Sequence, residues 1–253
     1  MTDHKQVVDR QFGEQANAYL SSAVHAQGDE FKLLQEAVSK QTHANVLDLG
    51  CGAGHVSFQV APFVNKVIAY DLSGSMLEVV AKASQEKQLK NIETAQGVAE
   101  SLPFDDNSFD FVFSRYSAHH WQDLGIALRE VKRVLKPSGI AAFIDVVSPE
   151  QPLLDTYLQT VEVLRDTSHV RDYSVAEWIR QMGEAGLLVT KHHKQKLRLE
   201  FNSWVTRMRT PDVYKSAILS LQQSMAQEVR DYFEIDKQGS FSTDVVVVWA
   251  TTL

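Results

Sequence analysis

The chain alternates short apolar runs with longer segments in which apolar residues recur every three or four positions. The short runs predict strands over residues 45–49, 66–70, 92–96, 109–114, 139–147, 187–199 and 245–250. The periodic segments between them predict helices over residues 56–63, 76–88 and 124–135. Strands that alternate with helices in this way are typical of a parallel sheet with right-handed crossovers.

Helical periodicity also fills much of the two ends of the sequence. It predicts helices over residues 153–165, 174–185 and 202–232, the last interrupted at Pro211, and over 7–40 with breaks near 11–13, 17–19 and 28. Ser174 with Glu177 three residues later predicts a capping box. Either Ser73 or Ser75 is expected to cap the helix over 76–88.

Bulk composition narrows the classes of protein. A chain of 253 residues with 44% hydrophobic residues can bury a sizeable core. The formal charge of -7 argues against a general nucleic-acid surface, which is normally basic. Cys51 is the only cysteine, so no intrachain disulfide can form. The first ten residues are polar and no apolar run is long enough to span a membrane, so we expect a soluble, cytoplasmic protein.

A glycine-rich turn follows the first predicted strand. Residues 48–54 read D-x-G-x-G-x-G, and the next strand ends at Asp71. Glycines let the backbone approach a ligand closely, and an acid at that distance can accept hydrogen bonds from both ribose hydroxyls. A dinucleotide fingerprint would place its third glycine at position 55, which is His55. The pattern therefore predicts an adenosine-containing cofactor, and His55 disfavours a dinucleotide.

The motif resembles motif I of the class I S-adenosylmethionine (SAM) methyltransferases. Further blocks that resemble the ubiquinone/menaquinone-biosynthesis-like group (methyltransferase type 11) follow in order: residues 71–77 (D-L-S-G-S-M-L), 97–104 (G-V-A-E-S-L-P-F), 106–110 (D-N-S-F-D) and 130–139 (E-V-K-R-V-L-K-P-S-G). The resemblance covers residues 45–147. Position 98 departs from it, because Val98 replaces the family's aspartate.

The resemblance implies an α/β, Rossmann-like fold. Its seven-stranded mixed sheet has the order 3-2-1-4-5-7-6, with strand 7 antiparallel, helices on both faces and a helical cap. We expect a single methyltransferase domain over residues 1–253. Its core would comprise about 41–149, 174–200 and 240–253, and its cap about 1–40, 150–173 and 201–239.

The resemblance also implies S-adenosyl-L-methionine as the cofactor. The residues expected to contact it are Tyr19, Gly50, Cys51, Gly52, Asp71, Leu72, Met76, Val98, Ala99, Glu100, Ser114 and Arg115. Asp71 would hold the ribose and Met76 would pack on the adenine. Val98 can only pack there, because it lacks the carboxylate that could accept the adenine amino group. Tyr19 either folds over the cofactor as a lid or packs between helices.

Two segments carry the candidate catalytic residues. His119 and His120 follow strand four, where either one can act as a general base, or can instead only pack against Trp121 or cap the following turn. His169 and Arg171 lie in the polar segment 165–173, which either binds a polar or anionic acceptor or forms a solvated turn.

Two further segments have at least one structural interpretation. His192 and His193 are expected on a solvated strand at the sheet edge, and no cluster has the spacing of a metal site. Residues 207–211, with Phe201 and Trp204, either help to close an acceptor pocket or form a packed cap helix.

The sequence predicts a SAM-dependent methyltransferase that acts on a small molecule, not on nucleic acid, as a monomer or homodimer. Residues 114–117 (S-R-Y-S) stand where amino-methylating nucleic-acid enzymes often have an N-P-P-Y-like motif. Two alternatives stay open. One is a catalytically inactive protein that binds SAM or S-adenosylhomocysteine (SAH) as a sensor or partner. The other is a nicotinamide-dependent reductase, which His55 disfavours.

Overall fold

Strands and helices alternate along the chain. The structure, a computed structural model, describes residues 3–13 and 28–252. Within them the strands are β1 (Asn45–Leu49), β2 (Lys66–Asp71), β3 (Ile92–Gln96), β4 (Phe109–Arg115), β5 (Leu135–Val147), β6 (Leu187–Leu199) and β7 (Phe241–Thr252). The α-helices are α1 (His4–Gly13), α2 (Glu30–Val38), α3 (His55–Val60), α4 (Gly74–Glu86), α5 (Leu124–Val134), α6 (Pro152–Arg165), α7 (Val175–Glu184), α8 (Phe201–Arg207), α9 (Asp212–Ser224) and α10 (Gln227–Tyr232). Two 3₁₀ helices span Ala61–Phe63 and Ala118–His120.

The seven strands form one mixed sheet in the order β3-β2-β1-β4-β5-β7-β6. Strands β1 to β5 pair in parallel, and β7 runs antiparallel between β5 and β6. The predicted fold class and strand order are confirmed. Chain order reverses beside β1, which lies between β2 and β4, so a crevice opens there at the carboxyl ends of the strands.

Apolar side chains cover both faces of the sheet. One cluster packs α5 and α7 on one face, around Val131 and Trp178, and another packs α2 and α3 on the opposite face, around Leu34 and Val60. A third cluster lies beyond the sheet, where α6 and α8 to α10 pack around Trp204. None of the described helices is long and apolar enough to cross a membrane.

Element boundaries differ most from the predictions at β5, at β7 and within the helix predicted over 202–232. Strand β5 begins at Leu135, four residues early, because Leu135 pairs with Phe109 before an irregularity in the ladder. Strand β7 extends to Phe241 and Thr252 because polar residues there continue the pairing with β6. The predicted helix over 202–232 has a second break at Met225, whose backbone is extended.

Candidate active site

A cleft lies against the glycine-rich loop, at the carboxyl ends of β1, β2 and β4. We call it the glycine-loop cleft; it encloses about 1090 Å³, including solvent at its mouth. Most of the predicted cofactor residues line it: Gly50, Cys51, Gly52, Asp71, Leu72, Met76, Val98, Ala99, Glu100 and Arg115. Tyr19 lies outside the described residues. Ser114 is buried within β4 and is not among the residues that line the cleft.

The loop after β1 is held in a conformation that requires glycine. The backbone N–H groups of Gly50 and Cys51 both donate to the carbonyl of Tyr70, at 2.8 and 3.0 Å. Gly50 has φ +70°, and a Cβ atom there would lie 1.8 Å from Oγ of Ser117. Gly52 has φ +49°. The backbone therefore lines the cleft without side chains in the way.

Asp71 joins the glycine loop to the start of α4. Its Oδ2 accepts from the backbone N–H of Gly52 at 2.8 Å, and its Oδ1 accepts from that of Ser73 at 2.9 Å. Burial raises the pKa of this carboxyl, and the two backbone donors oppose that rise. Each oxygen keeps a further lone pair, so the group fits a ligand with two neighbouring hydroxyls.

Asp48 also lines the cleft, although we did not predict a contact there. Its Oδ2 accepts from the backbone N–H of Ser57 at 2.9 Å and from Oγ of Ser57 at 2.6 Å. Burial raises the pKa of Asp48 to about 7 against the lowering effect of these bonds. The signal was present in the sequence, since Asp48 is the first residue of D-x-G-x-G-x-G.

The loop after β3 forms another wall of the cleft. The hydroxyl of Tyr70 donates to the carbonyl of Val98 at 3.1 Å, which fixes the backbone at this position. The carboxylate of Glu100 accepts from the backbone N–H groups of Gln122 and Asp123, at 2.7 and 3.2 Å. Glu100 thus ties the loop after β3 to the loop after β4.

Arg115 reaches the cleft but is engaged in a buried ion pair. Its Nη2 lies 2.7 Å from Oε1 of Glu30, and the two side chains are 5% and 4% exposed. Its guanidinium also lies 4.5 Å from the ring centroids of both Phe31 and Tyr116. The pair fastens α2 to the end of β4, a contact between distant residues that sequence motifs do not reveal.

Helix α1 covers one side of the cleft. His4, Lys5, Val8 and Phe12 line it. The Nε2–H of His4 donates to the carbonyl of His120 at 3.1 Å, and the ring of Phe12 meets the ring of His120 edge-on at 4.9 Å. We predicted a helix from residue 7 with a break near 11–13, whereas α1 begins at His4 and includes residues 11–13; none of these contacts was predicted.

A second cavity of about 620 Å³ adjoins the cleft. Phe12, Tyr116 and His120 line both spaces. The remaining walls come from the 3₁₀ helix after β4, from the ends of β5 and β6, from α6 and the segment after it, and from α8 and the residue after it; they include His119, Glu162, Arg165, Asp166, Asp172, Trp204, Arg207 and Met208. Trp204, Arg207 and Met208 therefore border a cavity, whereas Phe201 packs in the third apolar cluster.

His119 and His120 are neighbours with opposite protonation behaviour. Nδ1 of His119 lies 2.6 Å from Oδ1 of Asp145. Burial alone lowers the pKa of His119, but the Asp145 carboxylate outweighs it and raises the pKa to about 9. Burial, followed by the charge on His119, lowers the pKa of His120 to about 4. At neutral pH the first ring is a cation and the second is neutral.

The tautomer of His120 follows from its hydrogen bond. Nδ1 lies 3.0 Å from the carbonyl of Ser168, and a carbonyl can only accept, so Nδ1 carries the proton. Nε2 of neutral His120 therefore has a lone pair. It lies 3.9 Å from Oδ2 of Asp166.

His169 and Arg171 border neither of these two spaces. Nε2–H of His169 donates to Oε1 of Gln159 at 2.9 Å, and burial lowers the pKa of His169 to about 2. Arg171 makes ion pairs with Asp155 and Glu177, each at 3.2 Å. Of the polar segment 165–173, the structure brings other members to the second cavity: Arg165, Asp166 and Asp172.

Two backbone bonds explain why this segment closes the second cavity. The N–H groups of Val170 and Arg171 donate to the carbonyl of His119, at 2.8 and 3.2 Å.

His192 and His193 lie on β6 at the sheet edge, as predicted, and are exposed. Among residues 3–13 and 28–252, no group of three or more His, Cys, Asp or Glu residues could hold a metal ion.

Comparison with known proteins places this arrangement among related chains. Residues 47–143 match the family model described as a methyltransferase domain. The protein YafE of Escherichia coli is 55% identical over 199 residues, 79% of this chain and 96% of that protein. The uncharacterized methyltransferase YcgJ of Bacillus subtilis is 37% identical, with 88% of each chain covered. Its crystal structure superposes with a TM-score of 0.84 at 35% identity, over 88% of this chain and 97% of that chain. A demethylmenaquinone methyltransferase of Listeria monocytogenes is 31% identical over 66% of this chain and 73% of that protein.

Proposed function

We propose that this chain, which belongs to the class I S-adenosylmethionine-dependent methyltransferases, methylates a small molecule that binds in the second cavity. The observation that carries this proposal is the shared border of the two spaces. Phe12, Tyr116 and His120 line both the glycine-loop cleft and the second cavity. A molecule in one space can therefore face a molecule in the other, and surrounding side chains can keep water away from the place where they meet.

The polar and apolar groups of the glycine-loop cleft fit the ribose and adenine of S-adenosylmethionine. The carboxyl of Asp71 is oriented by two backbone donors and keeps lone pairs for ribose hydroxyls. Met76, 1% exposed, packs with Ala53 in an apolar patch that suits an adenine face. The sulfonium of the bound cofactor supplies an activated methyl group, so the protein is left with positioning and proton transfer.

We infer distinct roles for the two adjacent histidines. His120 borders both spaces and offers the unprotonated Nε2 that a general base needs. The carboxylate of Asp166, 3.9 Å away, would stabilise the proton once it is taken. His119 is held protonated by Asp145 and is not a base at neutral pH; it borders the second cavity as a fixed cation.

The helical elements around the second cavity complete the proposal. Helices α1, α6 and α8 contribute Phe12, Glu162 and Trp204 to its wall. We propose that these helices act as a cap that admits the acceptor and then shields it. A cavity closed by helices suits a small molecule better than a polymer, and the net charge of -7 disfavours nucleic acid.

Two measurements test the proposal. Titration calorimetry with SAH should show binding that Asp71→Ala weakens about tenfold or more, since hydrogen bonds to a charged group are lost. Asp212, whose side chain is 95% exposed, provides the control variant Asp212→Ala.

The second measurement follows the methyl group. When the protein is given methyl-labelled SAM and a mixture of metabolites, the label should enter the low-molecular-weight fraction. Label found only in nucleic acid or protein would contradict a small-molecule acceptor, and SAH binding without any transfer would favour a sensor.

A further inference from the structure

Two buried carboxyl groups in the wall of the second cavity each have one oxygen without a hydrogen-bond partner among the described residues. Oδ1 of Asp166 accepts from the backbone N–H and from Oγ of Ser168, at 2.8 and 2.6 Å. Oδ2 of Asp166 and Oδ2 of Asp172 have no hydrogen-bond partner among the described residues. Both residues are 1% exposed, and both line the cavity. Oxygen atoms buried without donors are costly, so a donor from a ligand would stabilise the site.

Nearby side chains do not supply those donors. Nε2 of His120 lies 3.9 Å from Oδ2 of Asp166, and Nε2 of His169 lies 4.0 Å from Oδ2 of Asp172, both too far for a hydrogen bond. His120 is neutral with its proton on Nδ1, and His169 already donates from Nε2 to Gln159.

The other buried acids near this site already have cationic partners. Oε2 of Glu162 lies 3.3 Å from Nη1 of Arg165, and Asp145 is paired with His119. Asp166 and Asp172 are therefore the buried acids near this site whose carboxyl groups can still accept hydrogen bonds from a ligand.

We propose that the methyl acceptor carries an amino group, and that Oδ2 of Asp166 and Oδ2 of Asp172 accept hydrogen bonds from it. This inference rests on the proposed function, since it describes the molecule that occupies the second cavity. An ammonium offers several N–H donors and a positive charge, whereas a hydroxyl offers one donor and a carboxylate offers none. The aromatic rings of Tyr116 and Trp204 provide the apolar wall for the rest of the molecule.

Binding of an amine beside Asp172 would change the protonation of this carboxyl. Burial, followed by the nearby Glu162 carboxylate, raises the pKa of Asp172 well above its ordinary value. An ammonium beside the carboxyl would act in the opposite direction, because an opposite charge favours the ionised form.

Matched probes test the proposal on the intact chain saturated with SAH. The first set is 2-phenylethylamine, 2-phenylethanol and phenylacetate, and the second is hexylamine, hexanol and hexanoate. Binding is measured by ligand-observed NMR and calorimetry. In at least one set the amine should bind about tenfold or more tighter than its alcohol and its acid, the range expected for hydrogen bonds to a charged group.

Variants separate recognition from folding. Asp166→Asn and Asp172→Asn should each lower amine affinity about tenfold and leave alcohol affinity within about twofold. Asp212→Asn, at an exposed site, should change neither. Thermal melting and SAH titration confirm that each variant is folded.

The results divide cleanly between the two proposals. If SAH fails to bind the wild type, the proposed function fails. If SAH binds but no amine does, only the amine proposal is overturned. The same conclusion follows if the acids bind as tightly as the amines, or if the amine preference survives in both the Asp166→Asn variant and the Asp172→Asn variant.

Discussion

Nδ1 of His119 lies 2.6 Å from Oδ1 of Asp145, and this contact connects the loop after β4 to β5. Among the described residues, the ring of His120, centred 4.2 Å from that of His119, has no carboxylate within hydrogen-bond distance, since Oδ2 of Asp166 is 3.9 Å from its Nε2, and its Nδ1–H donates to the carbonyl of Ser168. One carboxylate therefore determines which of two adjacent imidazoles is charged. The neutral one borders the glycine-loop cleft.

Asp145→Asn should lower the pKa of His119 from about 9 to below its ordinary value, because burial is then opposed only by more distant acids. Because the pKa of His119 is raised in the folded protein, its protonated ring stabilises the wild type fully below about pH 6.5. This stabilisation is lost as the pH rises through about 9. The difference in unfolding free energy between wild type and variant should thus be largest below pH 6.5 and shrink towards pH 9. Urea unfolding at several pH values measures it, and a difference that does not vary with pH would contradict the prediction.

Glu30→Gln should destabilise the protein by about 3 kcal/mol, because it leaves the buried guanidinium of Arg115 without its carboxylate. The adjacent Asp29 offers a matched control. Its pair with Lys32 is exposed, so Asp29→Asn should change the unfolding free energy by less than about 0.5 kcal/mol. Chemical denaturation compares the two. If the two variants lost equal unfolding free energy, burial of the Glu30–Arg115 pair would not be the reason for its contribution to stability.

Gly50→Ala should disrupt the glycine loop, because its Cβ would lie 1.8 Å from Oγ of Ser117 and the residue has φ +70°. We expect a loss of about 2 kcal/mol in unfolding free energy and more than tenfold weaker SAH binding. Gly183→Ala is the control, since a Cβ there meets nothing within 4 Å and the position is helical. That variant should be neutral or stabilised by about 0.5–1 kcal/mol. Calorimetry and thermal unfolding give both quantities.

His120→Ala should lower kcat by about 100-fold or more if His120 is the general base, while SAH affinity changes little. The exposed His192 on β6 supplies the control variant His192→Ala, which should retain full activity. Steady-state rates with the acceptor, together with SAH titration, distinguish the roles. A parallel loss of kcat and SAH affinity would indicate that His120 only shapes the cleft, and unchanged kcat would exclude it as the base.

The individual strands and the glycine loop were predictable because local sequence encodes them, whereas the strand order and the position of the cleft were implied by the resemblance to a known family. Strand β1 ends in a loop whose glycines are needed at positive φ, and Asp71 ends the next strand. The capping box of Ser174 and Glu177 is confirmed for the same reason, since both partners lie within one helical turn. Ser73 occupies the N-cap position of α4, but its side chain makes no cap hydrogen bond.

Only part of the second cavity could be predicted, because its walls are distant in sequence. Phe12 of α1 and Trp204 of α8 meet there across almost the whole chain. The polar segment 165–173 was recognised as a candidate, yet its periodicity does not tell which side chains point inward. Arg171 finds acidic partners outside the cavity, whereas Asp172 beside it is buried within the cavity wall.

Strand β7 is synthesised after β6 but lies between β5 and β6. Until its residues emerge from the ribosome, β5 exposes one unpaired edge and β6, which pairs only with β7, has no partner strand. The centre of β7 is a run of four valines that is buried on both faces. Completion of the sheet must therefore follow translation of the whole strand. A nascent or truncated chain that lacks Phe241–Thr252 would present the open edge of β5 and the unpaired β6 to other chains and would be a substrate for chaperones or aggregation.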